Sequence, residues 1–171
     1  VSNIFSQPTL LPSASTTRAG IIEIATTAET TAGSDTSLAV SPDGLAGSIF
    51  GTRVIGIIAI DATTALSVAD GKAYVPVPAA LTGMNLTRAQ AIVNTAGTTN
   101  PTTIDIYNVT DSQDMLSTAI SIASGATVGT VGTINATYDD VVTNDVLRVD
   151  VTTMSTTAPS GLLVVLEFML P

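Results

Sequence analysis

The chain has 171 residues and a mass of 17.2 kDa, enough for one domain with an extension. Fourteen acids against five basic residues give a net charge of -9, which repels phosphate and argues against a nucleic-acid interface; the five cations, Arg18, Arg53, Lys72, Arg88 and Arg148, are scattered. With no His and no Cys, the commonest general base, transition-metal ligand and soft nucleophile are missing, and no disulfide ties the fold to an oxidising compartment.

Residues 1–18 carry Pro8, Pro12 and a Ser/Thr cluster, a composition that favours an extended arm needing a partner to become ordered. Ile21, Ile22 and Ile24 then predict a short strand. Thr26-Thr27-Ala28-Glu29 has the spacing at which a cap hydroxyl and a carboxylate satisfy each other's backbone amides, and Gly33 supplies a left-handed stop. A second helical turn starts at Ser41 as cap, with Pro42 at the first position and Asp43 near the positive end of the dipole. An extended piece, Thr36 to Val40, separates the two turns.

From Phe50 the pattern changes to spaced strands rich in Val, Ile and Thr, whose branched side chains fit a pleated surface. VIGIIAI (54–60) comes first. Asp70-Gly71 then predicts a hairpin turn between ALSVA and KAYVPV, with Pro76 and Pro78 placing the second strand at a sheet edge. Further strands are predicted at 85–93, 103–109, 116–122, 127–134, 145–151 and 161–170.

This spacing predicts an all-β, antiparallel β-sandwich, jelly-roll-like, at 50–171, preceded at 1–49 by an N-terminal extended arm with short helical turns. Leu147, Val149 and Val151 alternate with Arg148, Asp150 and Thr152, giving one buried and one wet face. VIGIIAI and GLLVVLEFML are instead apolar on both faces and need a second cover. That cover is either the N-terminal segment or another subunit; with 45% hydrophobic and only 11% charged residues, the two strands are the best sequence evidence for a subunit interface, through Ile55, Ile57, Leu163, Val165 and Met169.

Chemistry-bearing motifs are weak. A lone Lys72 beside a turn reads as a solvated edge charge, not half of a Ser-Lys pair. Gly125, Gly129 and Gly132 lack the Gly-Lys-Ser/Thr ending of a phosphate loop and read as turn glycines. Asp111 and Asp114 have the residue type of a glycosidase pair without a pattern that sets their separation. Asp139, Asp140 and Asp145 in YDDVVTND offer hard oxygens of the kind Ca2+ requires, but without EF-hand order, and an Asp/Asn-rich turn is the plainer account. The chain is read as non-enzymatic, with no catalytic, cofactor or metal residue assigned. The longest apolar run holds Glu167 and is about half a membrane span, so no membrane partner is expected.

The segment RAGIIEIATTAETTAGSDTSLAVSPDGLAG (18–47) resembles one that recurs in tailed-bacteriophage fibres and other virion appendages. Arg18, Gly20, Glu23, Ala25, Thr26, Ala28, Glu29, Ala32, Gly33, Asp35, Ala39, Val40, Pro42 and Leu45 carry the likeness. DGKAYVPVPAALTGMNL (70–86), DMLST (114–118), NDVLRVDV (144–151) and APSGLLVVLEFMLP (158–171) are similar to a phage virion β-domain. The resemblance implies a virion structural protein assembling as a homo-oligomer, commonly a trimer, whose N-terminal part docks onto other virion proteins of the capsid or tail. Arg18, Gly20, Ile22, Glu23, Ile24, Pro42 and Leu45 are then the candidate attachment residues. Lacking a shaft, the chain reads as a capsid decoration (cement) or short head-fibre protein, located on the virion after assembly in the bacterial host cytoplasm. The alternative is a tail-fibre or receptor-binding module for a host surface glycan, although few aromatics are present to build such a site.

Overall fold

A computed structural model describes residues 22–171. The chain divides into two compact units, Val1–Phe50 and Gly51–Pro171.

In the first unit both predicted helical turns form, and each is held by its cap. Thr26 sits in the extended region, its hydroxyl accepting the Glu29 amide at 3.3 Å while the Glu29 carboxylate accepts the Thr26 amide at 2.9 Å. Helix α1 (Thr27–Ala32) closes at Gly33, where φ is 62° and the amide reaches Glu29 O at 3.0 Å. Helix α2 (Pro42–Ala46) starts under Ser41, whose hydroxyl accepts the Gly44 amide at 2.9 Å. The extended piece expected between them is mostly bends, because the Asp35 carboxylate accepts the Ser37 amide at 2.7 Å and folds the backbone locally. Strand pairing shrinks to a single parallel bridge, Ile24 with Ala39. Residues 1–21, including Arg18, Gly20 and the predicted arm, lie outside the described residues.

The second unit is an all-β sandwich. In chain order the strands are β1 (Arg53–Ala65), β2 (Ala69–Pro76), β3 (Met84–Ile92), β4 (Thr102–Asn108), β5 (Gln113–Asp114), β6 (Leu116–Thr118), β7 (Ile120–Ile122), β8 (Thr133–Ile134), β9 (Asp140–Val141), β10 (Val146–Thr153) and β11 (Ser160–Met169). One sheet has the order β1-β11-β3-β9 and the other β2-β10-β4-β5, with β7 also on β4. First pairs with last and inward from there: β1 with β11, β2 with β10, β3 with β9, β4 with β5 and β7, all antiparallel. Successive pairs alternate between the two sheets, which is the path of one long hairpin rolled into a jelly roll.

β4, β10 and β11 each bury one parity, whereas β3 switches parity at a bulge between Leu86 and Arg88. Leu162, Val164, Leu166 and Phe168 of β11 meet Leu147, Val149 and Val151 of β10, with Ile104 and Ile106 of β4 and Leu86, Ala89 and Ala91 of β3 completing the layer. Phe168 has no exposed surface, and truncating a ring in such a position costs about 3–5 kcal/mol.

Three predicted features form differently. Asp70-Gly71 is not a hairpin turn: β2 runs straight through it and pairs with β10, as Leu147 with Val75 and Val149 with Ala73, then Val151 with Ala69. Four residue steps on β2 therefore face two on β10, a bulge that Gly71 permits with φ of 72°. Local Asp-Gly preference is shared by turns and bulges, and the long-range partner decides between them. The strand is nevertheless at a sheet edge, as Pro76 and Pro78 require.

The predicted strand 116–122 splits into β6, on β8, and β7, on β4, since β4 has two short partners on one side instead of one continuous one. Within 127–134 only Thr133–Ile134 is strand. Gly129 and Gly132 donate to Ala91 O and Ala89 O, both at 2.9 Å, and a Cβ on either would stand under 3 Å from Ile120 or Leu116. They are close-approach glycines; Gly125, with φ of 78°, keeps the turn role.

Candidate interaction surfaces

Among the described residues of the first unit, 22–50, the buried ones are Ala25, Thr30, Gly44 and Ser48, all small, whereas Ile22, Ile24, Val40, Leu45, Ile49 and Phe50 stand 46–63% exposed. Caps and one bridge hold the backbone, so the large aliphatic side chains are left to point outward. Of the candidate attachment residues described, Ile22, Glu23, Ile24, Pro42 and Leu45 are all exposed. Ile49 and Phe50 join them, a pair that the strand-start position after the second turn concealed in the sequence. Around this apolar surface the acids are held charged: the Thr26 backbone amide lowers the Glu29 pKa, and the Ser37 hydroxyl and amide lower that of Asp35.

In the sandwich the two outward sheet faces differ in kind. On the β2-β10-β4 sheet, Arg148 donates to Asp150 through Nε at 2.8 Å and Nη2 at 2.7 Å, and lies 4.5 Å from the Tyr107 ring centroid. Asp150 also accepts the Gly71 amide at 2.7 Å, which closes the bulge. Asp150 is therefore only 4% exposed although it points outward. Its hydrogen bonds raise the Arg148 pKa, and burial raises that of the neighbouring Asp105, with Asp114 and Asp150 adding repulsion. Thr103 bonds Thr152 at 2.6 Å beside them. This is a satisfied, wet surface.

The outer face of the β1-β11-β3 sheet is largely apolar, with the Arg88–Glu167 pair and Gln90 toward one end. Register places Ile58 beside Leu163 and Leu163 beside Ile92, with Val165 next along β11 between Gly56 and Gln90. Val54 and Ile58 are 62% and 74% exposed, and Ile92 and Val128 also reach solvent. Leu163, Val165 and Met169 lie on this outward face, half-buried, as the sequence expectation for a subunit interface requires of their position. Ile55 and Ile57 do not: Ile57 is in the core and Ile55 packs against it, so the outward residues of β1 are Val54 and Ile58. A strand apolar at both parities cannot disclose which parity faces in; the pairing of Ile57 with the buried Val164 fixes it.

At one end of this face β1 swings away from β11, with five residue steps between Ile60 and Ala65 against two between Leu162 and Ser160. Gly161, with φ of 67°, lets the backbone of Ala62 approach, and the Asn94 amide donates to Ala62 O at 3.2 Å. The result is a cleft of about 520 Å3 lined chiefly by Ile58, Ile60, Ala62, Ile92 and Leu163.

The remaining candidates separate. Asp145 is 2% exposed and accepts the Val142 amide at 2.9 Å and the Asn108 side-chain amide at 3.2 Å, the turn-closing role, while Asp139 is half-buried and Asp140 exposed. Asp111 bonds Asn108 at 2.8 Å, and Asp114 lies on β5. Among the described residues no group of three or more His, Cys, Asp or Glu is placed to hold a metal, and no helix is long and apolar enough to cross a membrane. Comparison of the chain with protein-family models, with curated proteins and with solved structures finds no match in any of the three.

Proposed function

We propose that this chain is a non-enzymatic structural protein of a bacteriophage virion, a capsid decoration (cement) or short head-fibre protein that attaches through its N-terminal unit and assembles as a homo-oligomer, most simply a trimer. The observation that carries the reading is the inverted pattern of residues 22–50, which expose Ile22, Ile24, Val40, Leu45, Ile49 and Phe50 and, among the described residues, bury only small side chains. A segment with capped turns and outward aliphatics gains stability from a surface it lies against, at about 25 cal/mol per Å2 of apolar area covered. The likeness of residues 18–47 to virion-appendage segments agrees with that, and the jelly roll supplies a body displayed from the anchor.

Labelled protein imaged on particles of the phage that encodes the chain tests the reading. Signal is expected on the particle, lost when residues 1–49 are deleted although the sandwich remains folded by circular dichroism. Undiminished attachment of the truncated chain refutes the anchor, and absence of the full chain from particles refutes the function. Signal confined to the tail tip, with saccharide binding by the free protein, favours the receptor-binding alternative.

A further inference from the structure

We propose that the outer face of β1, β11 and β3 is the surface through which copies of this chain join one another. The inference deepens the structural-protein reading and rests on it for the setting, a particle on which copies stand side by side. Val54, Ile58, Ile92, Val128, Leu163 and Val165 form the strip. On the opposite sheet the outward positions of β10 and β4 are instead Arg148, Asp150, Thr152, Thr103, Asp105 and Tyr107, so the apolar strip is not a general property of the chain.

Charge selects another copy as the occupant. The chain carries -9, so two copies repel wherever their acids meet. On this face Arg88 and Glu167 neutralise each other at 2.6 Å, and Arg88 also donates to Gln90 at 2.6 Å. Asp61 stands beside the cleft at the rim. Identical acidic chains therefore meet here without opposing unpaired carboxylates across the centre.

Shape agrees. The edge strand offers protruding Val54, and the cleft lined by Ile58, Ile92 and Leu163 offers a recess, so a protrusion on one copy meets a recess on the next, the head-to-tail contact that closes a ring such as a trimer. The area is adequate as well. Ten residues of β11 span about 34 Å, and three strands with the flanking 127–132 segment span about 19 Å, giving about 650 Å2 before side-chain relief. A standard interface covers about 800 Å2 per partner.

Sedimentation equilibrium of the full chain tests this. The wild type is expected at two or more times 17.2 kDa, and Ile58→Glu, at a side chain exposed in the single chain, is expected to weaken self-association by about 100-fold while leaving the circular dichroism spectrum unchanged. Val54→Lys should act in the same direction, and Thr152→Glu, on the wet face, should leave the mass unchanged. A monomeric wild type, or an Ile58→Glu chain that associates as tightly as wild type, overturns the inference. A wild type that is monomeric yet found on particles removes this inference and leaves the proposed function; an oligomer that Ile58→Glu dissociates, absent from particles, does the reverse.

Discussion

Replacing Asp150 by Ala probes the bulge that stands where a hairpin turn is expected. The wild-type carboxylate is 4% exposed and serves two partners from different strands: the Gly71 amide at 2.7 Å on β2 and the Arg148 guanidinium, held by Nε and Nη2, on its own strand. Loss of a hydrogen bond from a backbone amide to a charged acceptor costs about 1.5–3 kcal/mol. Removing one partner of a buried ion pair costs about 3–5 kcal/mol, but Arg148 keeps the Tyr107 ring and Asp70 at 3.6 Å and its side chain is 21% exposed, so that part is reduced. The expected total is about 3 kcal/mol, read as a fall in the urea midpoint at unchanged slope. Asp150→Asn keeps an oxygen for Gly71 and should cost about half as much. A change under about 1 kcal/mol for Asp150→Ala would refute the reasoning, because a self-contained Asp-Gly turn has no need of a carboxylate on β10.

Asp105 should respond to pH in the opposite sense from a salt-bridged acid. Burial raises its folded pKa above the ordinary 3.8, so the folded state binds the proton more tightly and loses stability as pH rises through that window. Asp105→Asn is therefore expected to raise the melting temperature at neutral pH, with the gain vanishing as pH falls towards 3.8; a gain independent of pH would contradict this. Gly161→Ala combines a left-handed φ of 67° with a Cβ 2.8 Å from Ala62 Cα, a collision of the new methyl with backbone that has no rotamer to yield. A loss above about 2 kcal/mol in thermal unfolding is expected, and a neutral result would show that β1 and β11 are not so close. Thr26→Ala removes the acceptor of the capping box at a cost of about 1 kcal/mol. Hydrogen exchange at the Thr30 and Gly33 amides should accelerate about fivefold, while amides of β11 are unaffected.

Local chemistry was legible wherever the partner of a group lies within a few residues. Thr26 with Glu29, Gly33 and Ser41 with Pro42 all formed as their spacing required, because a cap is satisfied inside one turn. The alternation of Leu147, Val149 and Val151 located the core face of β10, and the two prolines located an edge. Leu163, Val165 and Met169, expected at an outer face, do share the outward parity of β11, and the one charge in that strand, Glu167, marks it. VIGIIAI has no such marker, and Ile55 and Ile57 turned inward.

What the sequence by itself determined is thus the strand class, the two capped turns, the jelly-roll-like sandwich, and the existence of more apolar surface than one chain covers. Only the tertiary structure decided which parity of β1 faces the core, that Asp70-Gly71 is a bulge answered by Asp150, and that the two doubly apolar strands are neighbours whose outer faces merge. Those three are set by partners more than 75 residues away, Ile57 with Val164, Gly71 with Asp150 and Ile58 with Leu163, as the separations in number show. A side chain's own neighbours carry its propensity, but the face it shows is fixed by the strand that comes to lie beside it.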